Sequence, residues 1–446
     1  MRSKDMKRGI AALLLAAGSI IYATSIHAQK PLADQQIDSL AGSHKIVYID
    51  GRPADADTQA YVDSIRQKIS TFYYDQFRHF SDPAAPYFLF MSKDAQLAMG
   101  IGGCVRMRAY YDWGGAIPAR GFAPYLIPME PDPADMRHLG TSPSGTALFF
   151  RVLGRNKSLG EYQLYIEANF NGYQYLGFQL KKAYAIINDF TIGYASSTFS
   201  DPAALPPTVD AQGPNNKISP AAVLVRYMHT FKDRWTAAVS VEAPENSIGA
   251  DNEYTEKASP WVPDFAAFMQ YQWAAGQHVR LAGIMRTLSY RDLINAKNHN
   301  TVGWGVLLSS VARPTNAITT YANVCYGHGY QSLGGDLLMG SYDLVGDPEL
   351  LGKLYAPASF GWCLGVQYNF LPNLFVSVAA SQTRYLPSKA VSPDEYKYGM
   401  FGVGNIFWNL TPRMQMGAEI DLGVRHNFSG AHRWAHRFGI MAQFSF

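Results

Sequence analysis

Arg437-Phe438-Gly439-Ile440-Met441-Ala442-Gln443-Phe444-Ser445-Phe446, the last ten residues of the chain, alternate apolar with polar or small side chains and stop on a phenylalanine. Side chains of a strand point to opposite faces in turn. Phe438, Ile440, Ala442, Phe444 and Phe446 therefore share one face, and Arg437, Gly439, Gln443 and Ser445 share the other. One face suits lipid and the other suits water. The position matters, because in mid-chain the same alternation would mean only a half-buried strand.

A free carboxylate after an aromatic strand resembles the closing strand of Gram-negative outer-membrane barrels, and that resemblance implies recognition of Phe446 by the barrel-assembly machinery. The other end agrees. Arg2, Lys4, Lys7 and Arg8 precede an apolar run from Ile10 to Ile21, and Ser25-Ile26-His27-Ala28 offers a small residue for cleavage, so residues 1–28 read as a secretory signal peptide. That run is short of the ~20 residues a spanning helix needs, and no later stretch qualifies. A closed barrel is the other structure that satisfies its backbone in lipid. Tyrosine, phenylalanine, tryptophan and glycine are plentiful, and charged residues make up 16% against the usual ~25%. The formal net charge of +3 is carried by the signal segment, which leaves the remainder close to neutral. Bulk charge gives no reason to expect nucleic acid. Cys104, Cys325 and Cys363 have neither zinc-ligand spacing nor a disulfide framework. They read as small buried or wall residues, with a Cys325–Cys363 bridge conceivable in an oxidising compartment.

Residues 29–94 read as a periplasmic N-terminal extension with a helix near 59–77, where Val62, Ile65, Ile69 and Phe72 make an a/d seam of little more than two heptads. The seam could associate with copies of itself or pack on the barrel. Asp82-Pro83-Ala84-Ala85-Pro86 ends it. Residues 95–446 read as an all-β, transmembrane antiparallel β-barrel of about sixteen strands. Their centres lie near Val105, Phe149, Tyr165, Phe178, Ile192, Val225, Ala237, Phe268, Leu281, Val306, Ala322, Leu364, Val378, Val403, Ala418 and Ile440. Short connections such as Ile187-Asn188-Asp189 and Lys232-Asp233 alternate with long ones such as 114–143, 198–219 and 328–357, as expected of periplasmic turns and outside loops.

The same alternation points Arg106, Arg108, Arg151, Arg226, Arg280, Arg286, Arg425, Arg433 and Arg437 into the lumen, tempered by Glu167, Glu242, Glu419 and Asp421. Arginine stays charged and presents a planar fork of donors matched to carboxylate or phosphate, so these nine are the expected pore lining, unless wall ion pairs engage them. The loop from Thr198 to Ser219 follows the fifth strand, and its four prolines stiffen it. It is expected to fold inward as a constriction, with Asp201, Pro206, Pro207, Asp210, Gln212 and Asn215 as its marked residues.

The run Phe80-Ser81-Asp82-Pro83-Ala84-Ala85-Pro86-Tyr87-Phe88, Gly100-Ile101-Gly102-Gly103, Tyr110-Tyr111-Asp112-Trp113, and Ser197-Thr198-Phe199-Ser200-Asp201 through Pro207-Thr208-Val209-Asp210 with Gly213-Pro214-Asn215 resembles the DcaP-like family of trimeric outer-membrane porins. The loop signature is its most specific part. The resemblance implies a sixteen-stranded barrel, a homotrimer, a periplasmic helical extension and passive uptake of small negatively charged solutes such as dicarboxylates. The expected function is then a porin in the outer membrane of a Gram-negative cell, in contact with lipid and small anionic solutes, with no cofactor, no metal and no catalytic residue. Two other classes compete. A structural or adhesive barrel would have a plugged lumen, and a barrel hydrolase would use His426, His432 or His436 with Asp421 and Ser429. No nucleophile motif frames Ser429, and His436 falls on the lipid side.

Overall fold

A computed structural model describes residues 45–446, except 53, 55–57, 84, 85, 95, 118, 171–176 and 245–252. The signal-peptide reading, residues 1–28, lies outside the described residues. In chain order the elements are β1 (Lys45–Tyr48), α1 (Gln59–Tyr73), β2 (Phe88–Met91), β3 (Leu97–Trp113), β4 (Arg137–Ser142), β5 (Ala147–Asn156), β6 (Gly160–Asn169), β7 (Gln179–Ile187), β8 (Phe190–Ser196), β9 (Ala221–Phe231) and β10 (Trp235–Glu242). They continue as β11 (Thr255–Lys257), β12 (Asp264–Ala274), β13 (Gln277–Asp292), β14 (Lys297–Thr315), β15 (Ile318–His328), β16 (Val345–Gly346), β17 (Leu354–Tyr355), β18 (Ala358–Leu371), β19 (Leu374–Leu386), β20 (Tyr396–Thr411), β21 (Met414–Asn427) and β22 (His432–Ser445).

Each strand from β3 onward pairs antiparallel with the next. β4 and β5 together make one strand beside β3, β11 and β12 make one beside β13, and β16 and β17 are a small hairpin within an outer loop. The barrel therefore has sixteen strands. It closes where β22 pairs with β3, from His436 opposite Trp113 to Ser445 opposite Cys104. The ladder ends with Gly103 and Phe446 exchanging N–H···O bonds of 2.9 and 3.0 Å. Every expected strand centre falls inside a strand except Phe178, which sits one residue before β7 and packs edge-on to Phe170.

The two faces separate as the alternation requires. On β13, Val279, Leu281 and Met285 are exposed, while His278, Arg280, Ala282, Ile284 and Arg286 are buried. An outer belt of exposed Leu, Val, Ile, Phe and Met recurs on strand after strand, which suits lipid, not water. The short turns use left-handed backbone where two-residue hairpins need it: φ is 51° at Asn188, and 52° and 55° at Lys232 and Asp233. Cys104, Cys325 and Cys363 are all buried and all free thiols, so the conceivable Cys325–Cys363 bridge is not made, although β15 and β18 are adjacent.

α1 begins at Thr58, whose side chain accepts the Tyr61 N–H, and stops four residues before the expected end at Phe77. Two local interactions explain the stop. The Asp75 side chain accepts the Phe77 N–H at 2.8 Å, a turn that competes with helix, and Arg151 of β5 donates to the terminal carbonyls of Thr71 (3.2 Å) and Phe72 (2.9 Å). The apolar stripe Ile65, Ile69 and Phe72 packs on Leu89, Met91, Ala98 and Leu153. Most of the seam that could have joined helices from several chains is thus spent on this barrel, and only Val62 stays exposed. After α1, residues 75–82 run inside the barrel.

Candidate functional site

All nine arginines face inward. Arg425 and Arg433 are half-buried and the other seven are buried. Four of them meet carboxylates. Arg437 holds Asp112 with both prongs of its fork (Nε–Oδ1 2.6 Å, Nη2–Oδ2 2.9 Å) and reaches Asp210 Oδ2 at 3.2 Å. Arg286 bridges Asp264 at 3.1 Å and Asp343 at 3.0 Å. Arg280 lies 3.7 Å from Asp201, and its Nε donates to Gln270 at 2.9 Å. Arg151 lies 3.8 Å from Asp75. These are wall and loop ties, the arrangement that competes with a free pore lining.

The other five have no carboxylate partner among the described residues. Each donates instead to a backbone carbonyl: Arg106 to Ser81 (2.7 Å), Arg108 to Ser144 (2.6 Å), Arg226 to Ser196 (3.1 Å), Arg425 to Tyr125 (2.7 Å) and Arg433 to Gly114 (3.1 Å). A carbonyl satisfies a donor without cancelling its charge. Four of the five stand on the adjacent strands β21, β22 and β3, where Arg425 and Arg433 face each other in register. That sector of the wall also carries the buried acids Glu419 and Asp421 on β21 and Asp112 on β3.

The segment 197–220 does fold inward, and the wall clamps it with acids. Glu242 accepts the Thr198 N–H at 2.9 Å, and Glu419 accepts the Val209 and Asp210 N–H groups at 2.7 and 2.5 Å. Asp201 binds His278 (2.8 Å) and Ser309 (2.6 Å), and its acidity is strengthened by Arg280 and His278 in spite of burial. The Pro207 carbonyl accepts from Ser377 (3.1 Å) and Asn405 (2.9 Å), and Pro206 seats where a Cβ on Gly365 would collide with it at 2.7 Å. Asp210 accepts the Phe122 N–H at 3.0 Å, which ties this loop to the one after β3. Asn215 donates to Asp336 at 3.0 Å and accepts from Ser381 at 2.7 Å. Gln212, by contrast, is only half-buried. The loop therefore tracks the inner wall from β13 to β21.

Sequence reasoning missed two further occupants of the lumen. One is the pair of outer segments carrying Phe122 and Ile127, and Leu337 and Tyr342, all buried inside. The other is the stretch after α1. There Asp82 binds both Lys181 and Lys182, and these ammonium groups overcome burial to hold its carboxyl well below the usual range. His79, buried among Lys217, Lys181 and Arg106, is pushed down to about 3 and stays neutral. Asp82-Pro83 had been legible only as a helix stop; the aromatic residues Phe77 and Phe80 beside it were the available hint of burial. The histidine set does not assemble a relay. His426 stacks on His432 (4.9 Å) and Tyr398 (4.3 Å), His436 stacks on Trp113 (5.4 Å), and Asp421 is buried on the inner face.

With this geometry the barrel can be compared with solved structures. The outer membrane channel DcaP of Acinetobacter baumannii superposes with a TM-score of 0.67 at 19% identity, over 80% of this chain and 99% of that one. The fold is that of the DcaP channel. An anion-selective porin from Comamonas acidovorans matches at 0.54 with 10% identity, over 78% of this chain and 100% of that one. OmpT, an outer membrane protein of Vibrio cholerae, matches at 0.50 with 9% identity, over 79% and 98%. No family model matches the chain, and no curated protein does. The DcaP channel leaves about a fifth of this chain without a counterpart.

Two outcomes follow. Arg437→Leu strands Asp112 and Asp210 in the interior, and removing one partner of a buried pair costs about 3–5 kcal/mol, so the urea midpoint of the refolded barrel should fall clearly; an unchanged midpoint would show that the carboxylates do not depend on Arg437. Asp336 lies in the loop after β15, and burial pushes its carboxyl up to about 7 although Asn215 and Tyr396 donate to it. A raised acid favours the protonated fold, so stability is lost as pH rises from 3.8 through about 7. Asp336→Asn should therefore raise the unfolding midpoint above about pH 7 and leave it alone below 3.8; an equal effect at both ends would refute the assignment.

Proposed function

We propose that this chain is a passive channel of the outer membrane of a Gram-negative cell, selective for small anions, and not an enzyme. The observation that carries the reading is the sector of β21, β22 and β3 where Arg106, Arg108, Arg425 and Arg433 are satisfied by carbonyls and keep their charge. A row of fixed positive charge in a narrow, partly dehydrated lumen attracts anions and repels cations. The inward loop at 197–220 supplies the constriction, held to the wall where Glu242 and Glu419 accept its backbone N–H groups. The name of the Comamonas porin points the same way. Residues 1–28 act in this reading as a cleaved signal peptide, and residues 29–94 as an extension on the periplasmic side. The segments that lie inside the lumen favour one other reading, a closed structural barrel.

Reversal potential in a planar bilayer under a potassium chloride gradient tests the reading. Anion selectivity is expected, and it should weaken when Arg106 and Arg108 are both changed to alanine. Cation selectivity, or selectivity indifferent to that change, would sink it, and a barrel that never conducts would select the structural alternative. The homotrimer belongs to the same proposal and predicts a heat-sensitive oligomer band on a gel. A chain that ran only as a monomer in mild detergent would count against it.

A further inference from the structure

The segment from Tyr74 to Asp82 follows the end of α1 and crosses the interior. Asp75 lies by Arg151 on one side. Gln76 accepts from Arg280 at 3.2 Å, and the Phe77 ring meets Phe268 edge-on at 6.2 Å with the Arg226 guanidinium 4.1 Å above it. Phe80 then inserts against Phe375 (6.0 Å) and Phe407 (5.0 Å), on strands far around the barrel from β12. The Ser81 carbonyl takes Arg106 of β3, and Asp82 ends on Lys181 and Lys182 of β7. Nine residues thus reach wall residues around the circumference. Between this segment and β5–β9 lies a cavity of about 180 Å³, room for a few waters.

The wall does not need this segment. β3 to β22 close their own ladder, and residues 74–82 add no strand to it. Their ties are side chains and single carbonyls on barrel cations. Asp82 makes the same contact with the lysine pair that a solute carboxylate would make.

We propose that Tyr74–Asp82 is an internal plug that closes the barrel on the side of the short turns, with Asp82 seated as the chain's own ligand in a carboxylate site formed by Lys181 and Lys182, and that conduction requires the segment to leave. The proposal rests on the channel reading above, but its test reads current amplitude, whereas that reading is tested by ion selectivity, so the two can fail separately.

The experiment is planar-bilayer conductance of the full chain in potassium chloride, comparing the unaltered protein with Asp82→Asn, Asp82→Glu and Phe77→Ala. Heat-modifiable migration on a gel confirms a folded barrel in each case. A low, flickering current is expected from the unaltered protein, rising several-fold in Asp82→Asn and Phe77→Ala and staying low in Asp82→Glu, which keeps the carboxylate. A steady current of equal size in folded protein of all four forms would overturn the plug. A rise in Asp82→Glu equal to that in Asp82→Asn would overturn the carboxylate site. Should the variants not fold, the unaltered protein under rising urea decides: a current that climbs before the barrel unfolds supports a plug held by weaker ties than the wall, and a flat current up to barrel unfolding refutes it.

Discussion

Everything in this molecule depends on closing a circle of backbone hydrogen bonds. A strand edge left open in hydrocarbon exposes N–H and C=O groups that no water can satisfy, each at a cost of several kcal/mol. The pairing of β22 with β3 removes that edge, and the alternation of side chains then assigns every residue of every strand to lipid or lumen. A circumference of sixteen strands encloses more volume than inward side chains can fill. Part of the remainder is taken here by chain: the loop clamped by Glu242 and Glu419, the outer segments bearing Phe122 and Leu337, and the stretch around Phe77 and Phe80.

That packing sorts the lumen's charges into two populations. Arg286 and Arg437 are fully desolvated, and each is held by two carboxylates; an unpaired charge in such a place would be costly. Arg108 and Arg433 donate to the carbonyls of Ser144 and Gly114 and make no ion pair among the described residues. The first population holds loops in place, and in the channel proposed above the second gives the lumen its sign. One residue type serves both purposes because the guanidinium fork donates to either kind of oxygen.

The fold was legible because its signal is local. The period of two on β13 or β22 needs no knowledge of the rest of the chain, and neither do the short turns at Asn188 and Lys232. Phe178 fell just outside β7, in a place where apolar character marked a neighbouring ring contact and not a strand. Alternation likewise put each arginine on the correct face. It could not say which oxygen each would find, since Arg437 meets Asp210 of the inward loop, 227 residues away in sequence, and Arg106 meets Ser81 of the segment after α1. The path of residues 74–82 was hidden for the same reason: Phe77 and Phe80 announce burial, but their partners lie on β12, β19 and β20, far away in sequence. The early end of α1 was closer to legible, since Asp75 is a residue that turns the backbone on itself.

The pair of hydrogen bonds between Gly103 and Phe446 joins residues near opposite ends of the barrel's sequence. Contacts of such long separation are slow to form, because the chain entropy between them must be surrendered first. The ribosome also makes the two partners at very different times. Until β22 exists, β3 has a free edge and the sheet is an open ribbon with one apolar face, the form most prone to pair with the wrong neighbour. Closure of this barrel therefore has to wait on synthesis: the edge that opens the sheet stays exposed until the strand that covers it has been made.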